Sequence, residues 1–376
     1  MSGHEFIPVN EPLLDGREQE YLARCIETGW ISSEGPAVRE FEEQLAARVG
    51  RRYGVAVTNG STALELAVRA LKLPEGSEVI MPAFTIISCA AAIVRAGLRP
   101  VLVDADPVTW NMDVRQLSSK VTPQTQAIMV VHIYGLPTDM GAVLEVAQRH
   151  KLRIVEDAAE MHGQTYRGKP CGSFGDVSVF SFYPNKHITT GEGGMILTDD
   201  PKIGEICRSL RNLAHSPGRR FVHEELGFNY RLTNLQAAVG LAQLDRLDAS
   251  IARKRRMGKF YTTNLAGTPG MEFPPARTDY ADNIYWVYGM VLKDDVPLDA
   301  AAMMAKLGER NVGTRPFFWG MHEQPVFRRM GWFAGEHHPT TERISRRGFY
   351  VPSGLAITEQ QQQRVVEAVR GVLAET

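Results

Sequence analysis

Short apolar runs alternate with amphipathic stretches through the first two thirds of the chain, the pattern of a mainly parallel sheet covered by helices. The runs at 53–57 (YGVAV), 77–82 (SEVIMP), 99–106 (RPVLVDAD) and 125–135 (TQAIMVVHIYG) read as strands. So do 152–160 (LRIVEDAAE), 176–182 (DVSVFSF) and 193–199 (GGMILTD). Helical periodicity fills 61–71 and 85–97 between them. The fold class is α/β, with a mostly parallel central sheet. After about residue 240 the texture changes. Residues 234–267 read as one long, charged helix leaving the main sheet; 283–292 reads as a strand, 301–312 as a helix and 358–373 as a closing helix. The expected division is 1–240 for an N-terminal arm and large domain, and 241–376 for a connecting helix and a small α+β domain.

Composition narrows the partners. Of 376 residues 44% are hydrophobic and 23% charged, which suits a folded enzyme better than a linker-rich scaffold. Lys+Arg number 42 and Asp+Glu 43, so no global field favours nucleic acid or an anionic membrane, and an anionic ligand needs local arginines. Cys25, Cys89, Cys171 and Cys207 lie too far apart for zinc or redox motifs, so no metal is expected. The opening residues lack the basic and apolar regions of a signal peptide, and no stretch approaches the ~20 apolar residues of a membrane span. The expected location is the cytoplasm.

In open α/β sheets, ligands gather at the carboxyl ends of strands, where helix amino ends also point. In TNGSTAL (58–64), the backbone N–H groups of Gly60, Ser61 and Thr62 suit a phosphate; alternatively Ser61 only caps the helix. In IVEDAAEMHG (154–163), Asp157 at a strand end suits a cationic ring nitrogen, with Glu160 three residues on. The same spacing is a capping box. Phe84, just past a strand, either stacks on a planar cofactor or fills the core. In SFYPNKHITTGEGG (181–194), Lys186 stands between an aromatic-rich run and a glycine-rich turn. A solvated lysine is the ordinary outcome; partial desolvation would instead lower its pKa and make the amine nucleophilic. Together, phosphate loop, aromatic face, carboxylate and lysine are the parts pyridoxal 5'-phosphate requires.

The run EDAAEMHGQTYRGKPCGSFGDVSVFSFYPNKHITTGEGGMILTDD resembles the DegT/DnrJ/EryC1/StrS family of sugar aminotransferases. PLLDGREQEYLARCIETGWISSEG, NGSTALELAV, MPAFT, VHIYG, GFNYRLTNLQAAVGLAQL and RPFF extend the likeness over nearly the whole chain. The resemblance implies the aspartate aminotransferase-like fold, pyridoxal phosphate, and amino transfer from L-glutamate to a nucleotide-linked 4-keto-6-deoxyhexose. It places the covalent lysine at Lys186, the ring-nitrogen partner at Asp157 and the position near the ring hydroxyl at Glu160. Phosphate contacts fall on Ser61, Thr62 and Ser181, and ring stacking on Phe84. Asn229 matches an asparagine that reaches the neighbouring subunit's cofactor, implying a homodimer with shared active sites. Sugar 3-dehydratases of the family carry histidine at the lysine position; here His187 follows Lys186 without replacing it, which favours amino transfer over dehydration. A nucleotide diphosphate needs cations, and Arg219, Arg220, Arg231 and Arg315 are the candidates. His322 either contacts substrate or is a structural histidine.

Overall fold

Aliphatic and β-branched residues buried on both faces drive the first strands into one sheet. A computed structural model describes residues 5–216 and 218–375. The strands are β1 (Tyr53–Val57), β2 (Glu78–Pro82), β3 (Arg99–Val103), β4 (Thr125–Val131) and β5 (Arg153–Asp157). A small hairpin, β6 (Thr165–Tyr166) and β7 (Lys169–Pro170), precedes β8 (Val177–Ser181) and β9 (Gly194–Thr198). Seven of these form a sheet in the order β1-β9-β8-β5-β4-β2-β3. Only β9 runs against its neighbours. Each strand expected in this region is present.

Register decides what the sheet displays at its edge. Asp157 ends β5 opposite Val131 of β4 and Val179 of β8, while Val57 and Ser181 both pair with Gly194. The carboxyl ends of β4 and β5 therefore stand level, those of β1 and β8 reach two residues further, and all four lie on the same edge of the sheet, where a shared ligand site can form. Helices cover both faces, leaving one apolar layer around Val55, Leu66, Met81 and Met129 and another around Phe41, Ile128, Phe180 and Leu197.

A second hairpin, β10 (His215–Ser216) and β11 (Arg219–His223), follows the main sheet. Beyond it, β12 (Met271–Glu272), β13 (Tyr288–Leu292), β14 (Arg315–Pro316) and β15 (Gly348–Val351) make an antiparallel sheet in the order β12-β13-β15-β14. Ile7 joins this region by a parallel bridge to Val312. The stretch 234–267 is not one helix. It breaks at Arg246 (φ -112, ψ 10) into Asn234–Asp245 and Leu247–Leu265. Arg246 pairs with Asp15 and lies near Glu18, so the break is held by charges from the other end of the chain. The expected strand at 283–292 is regular only from Tyr288.

Candidate active site

These strand ends open onto a cleft of about 640 Å³ whose wall includes Gly60, Ser61, Thr62, Asp157, Glu160, Ser181 and Lys186. Seven sequence-marked residues thus meet in one place. At its floor, the helix Gly60–Ala70 begins with a capping box formed by Asn59 and Thr62. Ser61 is therefore not the cap; its Oγ stands 2.7 Å from Ser88 Oγ. The first amides of a helix have no intrahelical acceptor, so this end presents N–H groups to the cleft. Gly60 is required for the approach: a Cβ there would come 2.8 Å from Ser181 Cβ.

The capping-box alternative for Asp157 and Glu160 also fails, because no helix starts after β5. Asp157, 3% exposed, accepts from the Ala159 amide at 3.0 Å and from the Cys89 thiol at 3.3 Å. Burial pushes its carboxyl up, opposed by the Ala159 amide, Cys89 and Lys186. Glu160 accepts the Tyr134 amide at 2.7 Å, and burial pushes it up to about 8 against the pull of Lys186. Tyr134 holds that amide in place with a left-handed φ of 57°.

Lys186 is no solvated loop residue. Its side chain is 10% exposed, with Nζ 3.8 Å from Glu160 Oε1 and 3.8 Å from the centroid of the Trp286 ring. Burial pushes the amine down, while Glu160 and Asp157 hold it partly back. His187 is fully buried and does not line the cleft.

Other marked residues lie elsewhere. Phe84 is buried behind the wall, 5.8 Å from Phe317 and 5.7 Å from Phe318 between ring centroids. The residues after it, Thr85 and Ile86, line the cleft instead. Asn229 is exposed and bridges to Asn212, outside the cleft. Arg231 donates to Asn212 Oδ1 at 2.6 Å and lines, with Arg219, a separate cavity of about 890 Å³. The side chain of Arg220 lies outside the described residues. Arg315 is exposed and donates to the Thr314 carbonyl at 2.9 Å. His322 is 2% exposed and paired with Glu342 at 3.0 Å, a structural clamp away from the cleft wall. Sequence reading missed Trp286, Phe318 and Tyr350, which enter the wall from the second sheet region.

His132, Glu156 and Cys171 offer ligand atoms within 4.8 Å of one another. His132 and Glu156 are already engaged: Glu156 accepts from Gly172, Phe174 and His132, and His132 Nδ1 accepts from Thr138. This is a buried hydrogen-bond network.

The model of the DegT/DnrJ/EryC1/StrS aminotransferase family matches residues 12–370. The chain belongs to that family. It is an aminotransferase with the α/β fold of the sugar aminotransferases. GDP-perosamine synthase of Caulobacter vibrioides is 40% identical over 99% of this chain and 100% of its own. The enzyme of that name from Escherichia coli O157:H7 is 36% identical over 97% and 98%. A crystal structure of DesI with its TDP-sugar product is 33% identical, with a TM-score of 0.87 over 98% of this chain and 93% of that one.

The family implies pyridoxal phosphate, and the cleft fits it. Asn185 Oδ1 is buried in the wall without a hydrogen-bond partner. Asp157 is a buried carboxyl that a neighbouring cation would return to its ionised form. The helix amino end at Gly60 to Thr62 suits a phosphate.

Proposed function

We propose that this enzyme moves an amino group from L-glutamate to GDP-4-keto-6-deoxy-D-mannose, giving GDP-perosamine, with pyridoxal phosphate held in the Lys186 cleft. The observation that carries the reading is the convergence of Lys186, Asp157 and the Gly60–Thr62 helix end in one cleft. The full-length likeness to two GDP-perosamine synthases supports the choice of sugar.

Lys186 would hold the cofactor covalently, Asp157 its ring nitrogen, and Gly60, Ser61, Thr62 and Ser181 its phosphate. When bound, the cofactor supplies an electron sink and carries the amino group between the two substrates. Lys186 Nζ does the proton work: burial favours its neutral form, so the amine can take a proton from a substrate carbon and return it. Asp157 keeps a negative charge where a protonated ring nitrogen would sit. Glu160 stays within reach of Lys186 and buffers the charge of its amine. Trp286 and Phe318 exclude water from the wall.

Asn229, Arg219 and Arg231 lie outside their own chain's cleft. This supports a homodimer in which each subunit completes the other's site. All four cysteines are unpaired and buried, which suits a cytoplasmic enzyme. No helix of the described residues is long and apolar enough to cross a membrane.

The test mixes the purified protein, sized by sedimentation, with pyridoxal phosphate and follows its visible absorption. A dimer should develop a visible band that L-glutamate bleaches, and the loaded protein should then aminate GDP-4-keto-6-deoxy-D-mannose. Lys186→Ala should show no bleaching above about 1% of the normal rate. Absence of the band would overturn the cofactor assignment; bleaching followed by preference for a TDP-linked keto sugar would overturn the substrate.

A further inference from the structure

Behind Lys186 lies a second buried lysine that the proposed chemistry does not use. Lys254, on the helix Leu247–Leu265, is 1% exposed. Its Nζ donates to the Trp286 carbonyl at 2.9 Å and to the Ser353 carbonyl. Among the described residues, no carboxylate pairs with it; burial and the charge of Lys186 push it down to about 7. A buried ammonium without a counter-ion is a costly way to hold two carbonyls, and a neutral amide donor would do so with less desolvation.

Trp286 connects this lysine to the cleft. Its carbonyl meets Lys254, its ring stands against the Lys186 amine, and its Nε1–H donates to the Asn185 carbonyl at 2.8 Å. Asn185 immediately precedes Lys186. On the other side His187 is fully buried, with its ring against the Ile284 backbone. Two side chains donate to the backbone just ahead of Lys186, the indole to the Asn185 carbonyl and Asn10 Nδ2 to the Pro184 carbonyl at 3.1 Å, and of these the indole also touches the amine.

We propose that Lys254 is a positioning residue for Lys186: it anchors the Trp286 carbonyl and thereby seats the indole against the Lys186 amine. The proposal rests on the reading of Lys186 as the catalytic lysine. Glu160, Asp157, Trp286 and His162 surround the Lys186 amine, and Lys186 and His187 are the titratable groups whose charges act on or respond to Lys254. Loosening the indole admits water to the amine and favours its charged form. Removing the Lys254 charge acts in the same direction. Loss of the cation–π contact opposes both, but the desolvation of a buried ammonium is the larger effect.

The test reads Lys186 directly. The full chain, treated with hydroxylamine to free any aldehyde held on Lys186 and then dialysed, is treated with acetic anhydride across a pH series, and acetylation of Lys186 is followed by peptide mass spectrometry. In Lys254→Met the midpoint should rise by about one pH unit. Lys254→Arg, which still donates to both carbonyls, should restore at least half of the shift. In a Trp286→Phe background the effect of Lys254→Met should fall below half. An unchanged midpoint in folded Lys254→Met would overturn the proposal. An undiminished shift in the Trp286→Phe background would mean that Lys254 acts by charge alone, which overturns it as well. Should Lys254→Met not fold, Trp286→Phe alone must raise the midpoint, and a wild-type value sinks the idea. Because the labelling uses neither cofactor nor substrate, its failure is distinct from the missing visible band that would overturn the aminotransferase reading.

Discussion

Glu156 and Asp157 are consecutive carboxylates on β5, both buried, and the pleat sends them to opposite faces of the sheet. On one face Glu156 accepts the amides of Gly172 at 2.5 Å and Phe174 at 2.8 Å, and His132 Nε2 at 3.1 Å. On the other, Asp157 has one amide and a weak thiol donor, and it borders the cleft. The chain saturates the first and leaves capacity on the second. Burial alone does not mark a functional carboxylate; incomplete satisfaction beside open space does.

Two substitutions sharpen the contrast. Asp157→Asn keeps the shape and removes the charge, so the rate of the L-glutamate half-reaction should fall by about 10²–10³-fold. Its urea midpoint should stay near that of the native protein, because the amide can still accept from Ala159. Stopped-flow absorbance measures the first and equilibrium unfolding the second; an unimpaired half-reaction would erase the functional half of the comparison. Glu156→Gln should do the reverse. Its new NH₂ must face one of the donors now bonded to the carboxylate, costing about 2 kcal/mol of stability. The folded fraction should keep its response to L-glutamate. Normal stability in urea, with a lost response, would exchange the roles assigned to the two residues.

The placement of Asp157 was legible because β5 pairs the apolar Ile154 and Val155 with an acidic end, and a strand's end locates its last side chain within the sheet. Gly60 to Thr62 and Lys186 were legible for the same reason, since each lies just beyond a strand. Phe84 shows the limit. The turn after β2 brings Thr85 and Ile86 to the cleft and sends Phe84 into a cluster with Tyr134 and Phe317. Which residue of a turn faces a ligand depends on the rings packed behind it, and those come from distant sequence. Trp286 carried no local sign, because YWVY reads as strand core and its partner Lys186 is a hundred residues away. His322 belongs with Glu342, and the helix break at Arg246 with Asp15, for the same long-range reason.

The weakest test of the contrast concerns Glu160, the third buried carboxyl of this region. Its pKa is raised to about 8 by burial, with Lys186 opposing. The native state therefore binds a proton more readily than the unfolded chain, whose glutamates titrate near 4.5. Between those values the unfolded state has fewer bound protons, so the stability contributed by protonated Glu160 is full below about pH 4.5 and lost as the pH rises toward 8. Glu160→Gln should remove that fall. Relative to the native protein, the variant should gain stability with rising pH by at most about 1.4 kcal/mol per pH unit, and gain nothing further above 8. Urea unfolding at pH 5, 7 and 9 measures the difference. A variant whose relative stability fell with pH would mean that Lys186 keeps Glu160 ionised in the folded protein, placing Glu160 with the saturated Glu156 instead of with Asp157.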